Sequence, residues 1–406
     1  MRVGSDDEAD ICVINSCSVT EHADKKCRNL IRKLHRRNPD AVIAVTGCYA
    51  QLKPYDVAAI EGVDIVLSNN DKGDLYKRVT ELGARGRAQV YACDTEELTR
   101  FFASFSSGDR TRSFLKVQDG CDYKCAYCTI HYARGSSRNM PIADLVAEAR
   151  EVAASGLKEI VITGINTGDF GRTTGEKFID LLRALNEVEG IDRYRISSIE
   201  PNLITDEIIE FCAVSPKFQH HFHIPLQSGS DRILGLMRRR YTSERFADRI
   251  AKIRSLMPDA FIGVDLIVGA RGETDERFAA SKSFIESLDI SRLHVFTYSE
   301  RPGTRALEID HIVSQEEKHR RTRQMLAVSE RKLDGFTRRF AGTERAVLLE
   351  HPRAGHPLSG FTDNYLKVEI DGIAPDRAEV LDNTIARVVI GDPIPERESV
   401  KAGLMS

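Results

Sequence analysis

Over the first hundred residues, strand-like apolar runs at 11–15, 41–46 and 63–67 alternate with stretches of helical periodicity. Between the first two runs, Ala23, Cys27, Leu30, Ile31 and Leu34 recur at helical spacing, while Lys25, Lys26, Arg28, Arg32 and Arg36 fall off that stripe. This spacing predicts an amphipathic helix with Cys27 on its core face. Strand and helix in alternation predict a small parallel α/β sheet.

A polar stretch at 105–112, with Ser106 and Asp109 inside it, reads as a linker. From about residue 112 the pattern repeats strand then helix, with strands expected at 113–117, 158–163, 193–198, 220–224, 260–267 and 291–297. Such a run of units, shorter than the closed eightfold form, predicts an open (β/α)6 barrel, a partial TIM barrel. Function in such barrels sits at the C-terminal ends of the strands. Those ends hold the unusual polar content here: a cysteine loop after the first strand, Thr163-Gly-Ile-Asn-Thr-Gly168 after the second, Ser197-Ser-Ile-Glu200 after the third, and His223 to Ser228 after the fourth. A helix rich in Arg and Lys at 314–339 ends the barrel. Beyond it, short β-type runs at 345–349, 365–370 and 385–390, broken by Gly, Pro and Asp, predict a small β-barrel. The shifts in pattern divide the α/β chain into domains at 1–105, 106–339 and 340–406.

Composition narrows the class. A chain of 406 residues exceeds one ordinary core, and 41% hydrophobic with 29% charged content is that of a globular protein. No apolar run approaches a membrane span and no apolar segment opens the chain, so the expected location is the cytoplasm and no membrane partner is expected. The nine cysteines then point to metal or redox chemistry and away from a disulfide framework. The formal net charge of −3 hides basic clusters at 25–37, 238–240 and 318–323. Clusters that share a face would neutralise phosphates; the plainer reading of each is a solvated helix face.

The chemistry rests on Asp119-Gly-Cys-Asp-Tyr-Lys-Cys-Ala-Tyr-Cys-Thr129, where Cys121, Cys125 and Cys128 share one short loop. Three thiolates at this spacing suit three irons of a [4Fe-4S] cluster, since thiolate is the ligand such centres use. The fourth iron then has no protein ligand nearby, and an open position takes a substrate where a structural site closes its shell. A zinc site would pair C-x2-C with a second Cys or His pair, and none follows within the usual distance. The loop, with Tyr127 before its last cysteine, resembles the radical S-adenosylmethionine (SAM) superfamily.

Further motifs carry a closer likeness. Asn15-Ser-Cys-Ser-Val-Thr20, Val45-Thr-Gly-Cys-Tyr-Ala-Gln51, Tyr132-Ala-Arg-Gly135, Ser197-Ser-Ile-Glu-Pro201, His223-Ile-Pro-Leu-Gln-Ser-Gly-Ser230 and Phe296-Thr-Tyr-Ser-Glu-Arg-Pro-Gly-Thr304 together resemble the radical-SAM methylthiotransferases. The C-terminal β module resembles the RNA-binding TRAM domain of that family. Gly360-Phe-Thr-Asp-Asn-Tyr-Leu-Lys-Val368 most resembles the branch that modifies N6-threonylcarbamoyladenosine next to the tRNA anticodon. One departure is Gly269-Ala-Arg-Gly-Glu-Thr274, where the family has Gly-Phe-Pro-Gly-Glu-Thr.

The resemblance implies sulfur insertion at adenine C2 followed by methylation. A [4Fe-4S] cluster on Cys121, Cys125 and Cys128 would bind and reduce SAM, giving a 5′-deoxyadenosyl radical, with a flavodoxin- or ferredoxin-like electron donor. Residues 163–166 (Thr163, Gly164 and Asn166 among them), Glu200, Gln227 and Tyr127 are the candidate SAM contacts. The tRNA anticodon stem-loop is the expected macromolecular partner, its affinity supplied by phosphates and its target base read in a pocket. His223 reads equally as a satisfied core histidine and stays outside the candidate set.

The family draws sulfur from a second, auxiliary [4Fe-4S] cluster held by three cysteines. Cys17 and Cys48 match two of them. The third belongs in a Gly-Cys turn after an earlier strand, and no such segment precedes Ala9. Either the start lies upstream or the auxiliary cluster is lost; truncation is the expected explanation because the other two ligand motifs are intact. Under both, this polypeptide is expected to hold an incomplete second cluster and to form methylthiolated product poorly. Other readings stay open: the N6-isopentenyladenosine branch, the branch that modifies an aspartate of a ribosomal protein, and a non-catalytic RNA-binding iron-sulfur protein.

Overall fold

The computed structural model describes residues 3–4, 7–83, 86–102, 104–106 and 111–405. The expected linker at 105–112 runs over 107–110, which lie outside the described residues. The chain forms two compact units: one takes the chain up to Phe102 with Asp119–Arg138 and Ser299–Ile309, the other takes the stretch ending at Gln118, Asn139–Tyr298 and the chain from Asp310 onward.

The first unit is built on a four-stranded parallel sheet in the order Ile11–Ser16, Val42–Gly47, Ile65–Leu67, Gln89–Tyr91. The first three strands fall where the apolar runs predict them. Gln89–Tyr91 is only three residues long and half-buried throughout, so it carries no run to read. The helix Glu21–Arg37 covers the sheet, with Cys27 and Ile31 buried and Thr20 accepting a hydrogen bond from the Ala23 amide at its N-cap. Acids in its first turn and His35, Arg36 and Arg37 in its last suit the helix dipole.

The second unit contains the barrel. Arg112–Lys116, Glu159–Thr163 and Arg193–Ile196 form one parallel sheet, and His221–Gln227, Phe261–Val268 and Arg292–Thr297 another. Two isolated parallel bridges, Tyr194 to Phe218 and Ser198 to His223, join them into one six-stranded wall. Arg112–Lys116 and Arg292–Thr297 are edge strands among the described residues, so the (β/α)6 barrel is open as expected. Its core is a continuous apolar cluster between strands and surrounding helices, including Leu115, Ile160, Phe222 and Val264. The helix Gln315–Arg338, capped by Ser314, packs on the last barrel strand, where Ser329 both donates to and accepts from the Leu293 backbone.

The C-terminal residues close into a five-stranded barrel in the order Glu344–Leu349, Leu358–Thr362, Lys367–Ile370, Ser399–Leu404, Ile385–Ile394. Two of these strands have no apolar signature: Leu358–Thr362 contains Gly360, and Ser399–Leu404 mixes Lys401 and Gly403 into its run. Gly360 is required, since a Cβ there would stand 2.3 Å from the Leu348 carbonyl oxygen. The core of this module also contains Phe261 and Phe336, which belong to a barrel strand and to the long helix.

Candidate functional site

All five candidate metal-binding cysteines lie in the first unit. Cys17 follows the strand Ile11–Ser16, and Cys48 opens the short helix Cys48–Leu52 directly after Val42–Gly47. The two strand ends approach closely because Gly47 takes φ +95; a Cβ there would stand 2.4 Å from the Ser16 carbonyl oxygen. Ser16 ties them further, its hydroxyl donating to the Thr46 carbonyl and accepting from the Ala50 amide. Cys17 is exposed and Cys48 buried. Cys27, by contrast, is a core thiol: burial, with Asp24 beside it, pushes it up to about 11.

The loop bearing Cys121, Cys125 and Cys128 turns at Gly120 (φ +74), where a Cβ would meet the Ser136 carbonyl oxygen at 1.9 Å. The Cys128 amide donates to the Cys125 carbonyl, and the Cys128 thiol accepts from the Ile130 amide at 3.4 Å. Cys125 and Cys128 line a hollow of about 130 Å³ with Lys124, His131, Thr304 and Arg305. Burial first, then Lys124 and Arg305, holds the His131 imidazole below its ordinary range. Tyr127 is half-buried in the same loop.

Contacts inside this unit connect the two cysteine groups. The Asn69 side chain donates to the Ala133 carbonyl, Thr129 to the Ser18 carbonyl, and Arg134 Nε to the Cys48 sulfur at 3.2 Å. Arg134 loses solvation on burial, but Cys48, Asp119 and Cys17 around it more than offset this and hold its pKa above the usual value. Arg301 adds a second tie, donating to both Ser18 Oγ and Asp24 Oδ2 at 2.8 Å. Neither arginine stood out from the sequence, although both lie inside motifs that carried the family likeness.

The remaining candidates lie in the second unit at strand ends. Gln118 Oε1 accepts from the amides of Ile165 and Asn166, and Thr163 donates to the Leu115 carbonyl, which pins the Thr163 to Asn166 loop against the first strand. Asn166 is buried, and both its amide oxygen and nitrogen are without a hydrogen-bond partner. Glu200 pairs with Arg239; burial pushes its carboxyl up and Arg239 pulls it back. Arg239 also donates to Tyr241, whose hydroxyl lies against the Pro225 and Leu226 carbonyls. Gln227 follows at φ +67, beside a register shift in its strand. A non-glycine residue held there carries strain that its surroundings must impose. His223, left out of the candidate set, shares a 2.7 Å contact with Asp265 and stacks on His294.

The basic run 238–240 is therefore divided: Arg239 is committed to Glu200. In the run 318–323, Lys318 and Arg321 are buried, and Arg321 pairs with Glu273, Asp275 and Glu317. The helix Glu21–Arg37 keeps Lys25, Lys26, Arg32, Lys33, Arg36 and Arg37 on its exposed surface.

The sequence model of the radical SAM superfamily matches residues 115–285, and that of the uncharacterized protein family UPF0004 matches residues 1–68. The threonylcarbamoyladenosine tRNA methylthiotransferase MtaB of Bacillus subtilis is 40% identical over 380 residues, 90% of this chain and 82% of that protein. The chain belongs to the MtaB methylthiotransferase family. A tRNA-2-methylthio-N(6)-dimethylallyladenosine synthase of Akkermansia muciniphila is 33% identical over 97% of this chain and 92% of its own length. Among solved structures, the radical SAM methyltransferase TsrM of Kitasatospora setae, with cobalamin and a [4Fe-4S] cluster bound, superposes with a TM-score of 0.55 at 15% identity, covering 72% of this chain and 64% of that one; it supports the fold alone.

Cys121, Cys125 and Cys128 offer the thiols that a SAM-binding [4Fe-4S] cluster would take, whereas Cys17 and Cys48 offer two toward a second cluster. Among the described residues no three His, Cys, Asp or Glu side chains lie together as the ligands of one metal ion. Three thiols set along one turn instead suit a cluster in which each iron takes its own thiolate. The orphaned amide of Asn166 offers a buried donor and acceptor to a ligand at the strand ends, where no protein group uses them. No helix among the described residues is long and apolar enough to cross a membrane.

Proposed function

We propose that this methylthiotransferase converts N6-threonylcarbamoyladenosine beside the tRNA anticodon into its 2-methylthio derivative. The observation that carries the reading is the 40% identity to MtaB across most of both chains. A [4Fe-4S] cluster with bound SAM supplies the carbon-activating radical chemistry. Cys121, Cys125 and Cys128 would hold that cluster; Cys17 and Cys48 would give two ligands to a second one. Thr163, Gly164, Asn166, Glu200 and Gln227 would bind SAM, with Tyr127 alongside the cluster loop. The chain's own part is then to orient these groups and to keep water from them.

The domains at 1–105, 106–339 and 340–406 fit these roles, the last as a TRAM-like RNA-binding module, in a cytoplasmic enzyme served by a flavodoxin- or ferredoxin-like donor. Mass spectrometry of tRNA nucleosides tests the function. In a host lacking its own enzyme, expression of the chain should restore 2-methylthio-N6-threonylcarbamoyladenosine at a low level, as the expected incomplete second cluster implies. Restoration of the 2-methylthio-isopentenyl nucleoside alone would move the chain to the dimethylallyladenosine branch. Anaerobic reconstitution tests the ligands: Cys121→Ala, Cys125→Ala or Cys128→Ala should each abolish SAM cleavage, whereas Cys17→Ala should lower iron content and leave cleavage in place.

A further inference from the structure

The barrel of the second unit encloses a cavity of about 570 Å³, within the range of small-molecule sites. Its lining includes Arg112, Arg195, Arg292, Lys367 and Arg397, with Glu398 as the one lining acid among the described residues; ion pairs tie Arg112 to Glu350, Arg195 to Glu159, Arg292 to Glu398, and Lys367 and Arg397 to Glu369. His221, His223 and His294 complete the polar wall. Burial, then Arg195, holds His221 neutral, so the positive charge belongs to the guanidinium groups and Lys367. The cavity floor lies at the N-terminal ends of the strands, since Arg112, His221, Phe261 and Arg292 each open one. That end of such barrels ordinarily serves stability. An apolar filling would stabilise it better than an open space walled by cations.

The β module supplies the remaining wall, and it does so with the segment Gly360 to Val368 that most resembles the threonylcarbamoyladenosine branch. Phe361, Tyr365, Leu366 and Lys367 all line the cavity. This segment is fixed by the third barrel strand: Arg193 donates to the carbonyls of Phe361 and Ala346, and Arg195 to those of Thr362 and Asp363. Phe361 and Tyr365 stack at 4.9 Å, with Arg112 over the first ring and Arg195 over the second. Arg195 is fully used, its Nε bonding Glu159. Arg112 is not: one terminal nitrogen bonds Glu350 at 3.0 Å, while its Nε is buried with no hydrogen-bond partner. A buried charged donor left unmet is costly and calls for a ligand.

Three lining residues also lie on the strands whose ends hold the candidate SAM contacts. Val161 lines it just before Thr163, Ser197 just before Glu200, and His223 just before Gln227. At about 3.3 Å per residue these steps are roughly 7–13 Å. Threonylcarbamoyladenine, taken from the reacting C2 across the ring to the end of its N6 arm, reaches into the lower part of that range and ends in a carboxylate.

We propose that this cavity is the recognition site for the carboxylate-bearing N6 substituent of the target base, with Arg112 as its specificity-determining cation. The inference rests on the function proposed above. It explains why the branch-resembling segment and the cations share one wall: an anionic arm needs a charge-assisted hydrogen bond that an isopentenyl arm cannot accept.

The test is binding of synthetic anticodon stem-loop RNAs to the full chain, one carrying N6-threonylcarbamoyladenosine and one unmodified adenosine. The intact protein should prefer the modified RNA by about tenfold or more, the scale of one charge-assisted hydrogen bond. Arg112→Gln should erase that preference and leave affinity for the unmodified RNA unchanged; Arg112→Lys should keep part of it. Arg292→Gln, on the opposite edge strand, should reduce the preference too and decides the matter if Arg112→Gln does not fold. A preference that survives in the folded variants overturns the proposal. So does an equal loss for both RNAs, which would mark a phosphate contact. If the intact protein makes the 2-methylthio product in cells yet binds both RNAs equally, this inference fails alone; if no such product forms, the proposed function fails first.

Discussion

Replacing Arg301 by Met tests whether the segment after Cys17 is held by one buried charge. Arg301 and Asp24 have side chains only 5% and 3% exposed and meet at 2.8 Å. Ser18 completes a closed triangle, accepting from Arg301 and donating to Asp24 Oδ1, each at 2.8 Å. With Arg301 gone, the Asp24 carboxylate stays buried with a single hydroxyl for company. Breaking such a pair costs about 3–5 kcal/mol, most of it the uncompensated charge. The loss should appear as local opening, so amide hydrogen exchange over residues 17–27 should quicken by roughly a hundredfold or more. The exposed Cys17 thiol should be alkylated faster in step. Asp24→Leu combined with Arg301→Met removes both charges and should recover most of the protection, because replacing a whole buried pair by apolar groups is close to neutral. Acceleration below about tenfold in the single variant, or a double variant as damaged as the sum of its parts, would refute the reasoning.

Asn166→Ala should weaken SAM binding to the reconstituted protein in equilibrium dialysis while leaving the unfolding midpoint unchanged, because neither amide atom has a partner to lose. Acid should loosen the β module: burial opposes the charge of Asp259, but His220 and Arg345 outweigh it and hold the carboxyl well below the usual carboxylate range. A depressed acid lends stability that is complete above its unfolded pKa of about 4 and fades as pH falls below it, so hydrogen exchange in Glu344–Leu349 should rise below about pH 4, and Asp259→Asn should remove that pH dependence. Changing Lys25, Lys26, Arg32 and Arg36 to Gln should weaken tRNA binding evenly across sequences and flatten its salt dependence, by roughly 0.7–0.9 in log–log slope for each phosphate no longer neutralised; an unchanged slope would assign that helix face to solvent.

The sequence was most legible where one physical rule acts alone. Apolar runs located the barrel strands to within three residues at each end, because a strand buried between helices has little other pattern available. Three spaced thiols pointed to a superfamily because few ligand sets share that spacing, and the sequence model of that superfamily matches residues 115–285. Legibility fell where a strand is held by neighbours more than by its own residues. Gln89–Tyr91 and Leu358–Thr362 are examples: the first is too short to show a period, and Gly360 breaks the second because the adjoining Leu348 backbone leaves no room for a side chain. Charge was the least legible. Arg239, Lys318 and Arg321 sit in runs that read plainly as solvated helix faces, or as phosphate-binding where they share a face, yet each side chain is buried against internal carboxylates or carbonyls. Whether an arginine faces solvent depends on which acid the fold carries to it, and Glu200 and Glu273 lie far from their partners in sequence.

The same dependence explains how one barrel offers polar groups at both ends without the two competing. At the C-terminal ends of the strands, the polar groups are neutral or self-neutralised: an orphaned amide at Asn166, Gln227 in a left-handed turn, and Glu200 cancelled by Arg239. Such an environment suits a zwitterionic cofactor, whose own charges must not be overridden by a fixed neighbour. At the N-terminal ends the balance is cationic, and the crowding is severe enough that burial, with Arg195 adjacent, brings Arg193 down to about 10. A protein does not gather guanidinium groups around open space for stability, because each loses solvation on burial that its paired carboxylate need not repay. The backbone carbonyls of residues 361–363 absorb Arg193 and Arg195, whereas Arg112, paired with Glu350 through one terminal nitrogen, keeps an unmet Nε among the cavity-lining residues. Selection of an anionic substrate arm at the floor and placement of a zwitterion at the rim, as proposed above, would both follow from one sorting of charges along the strands.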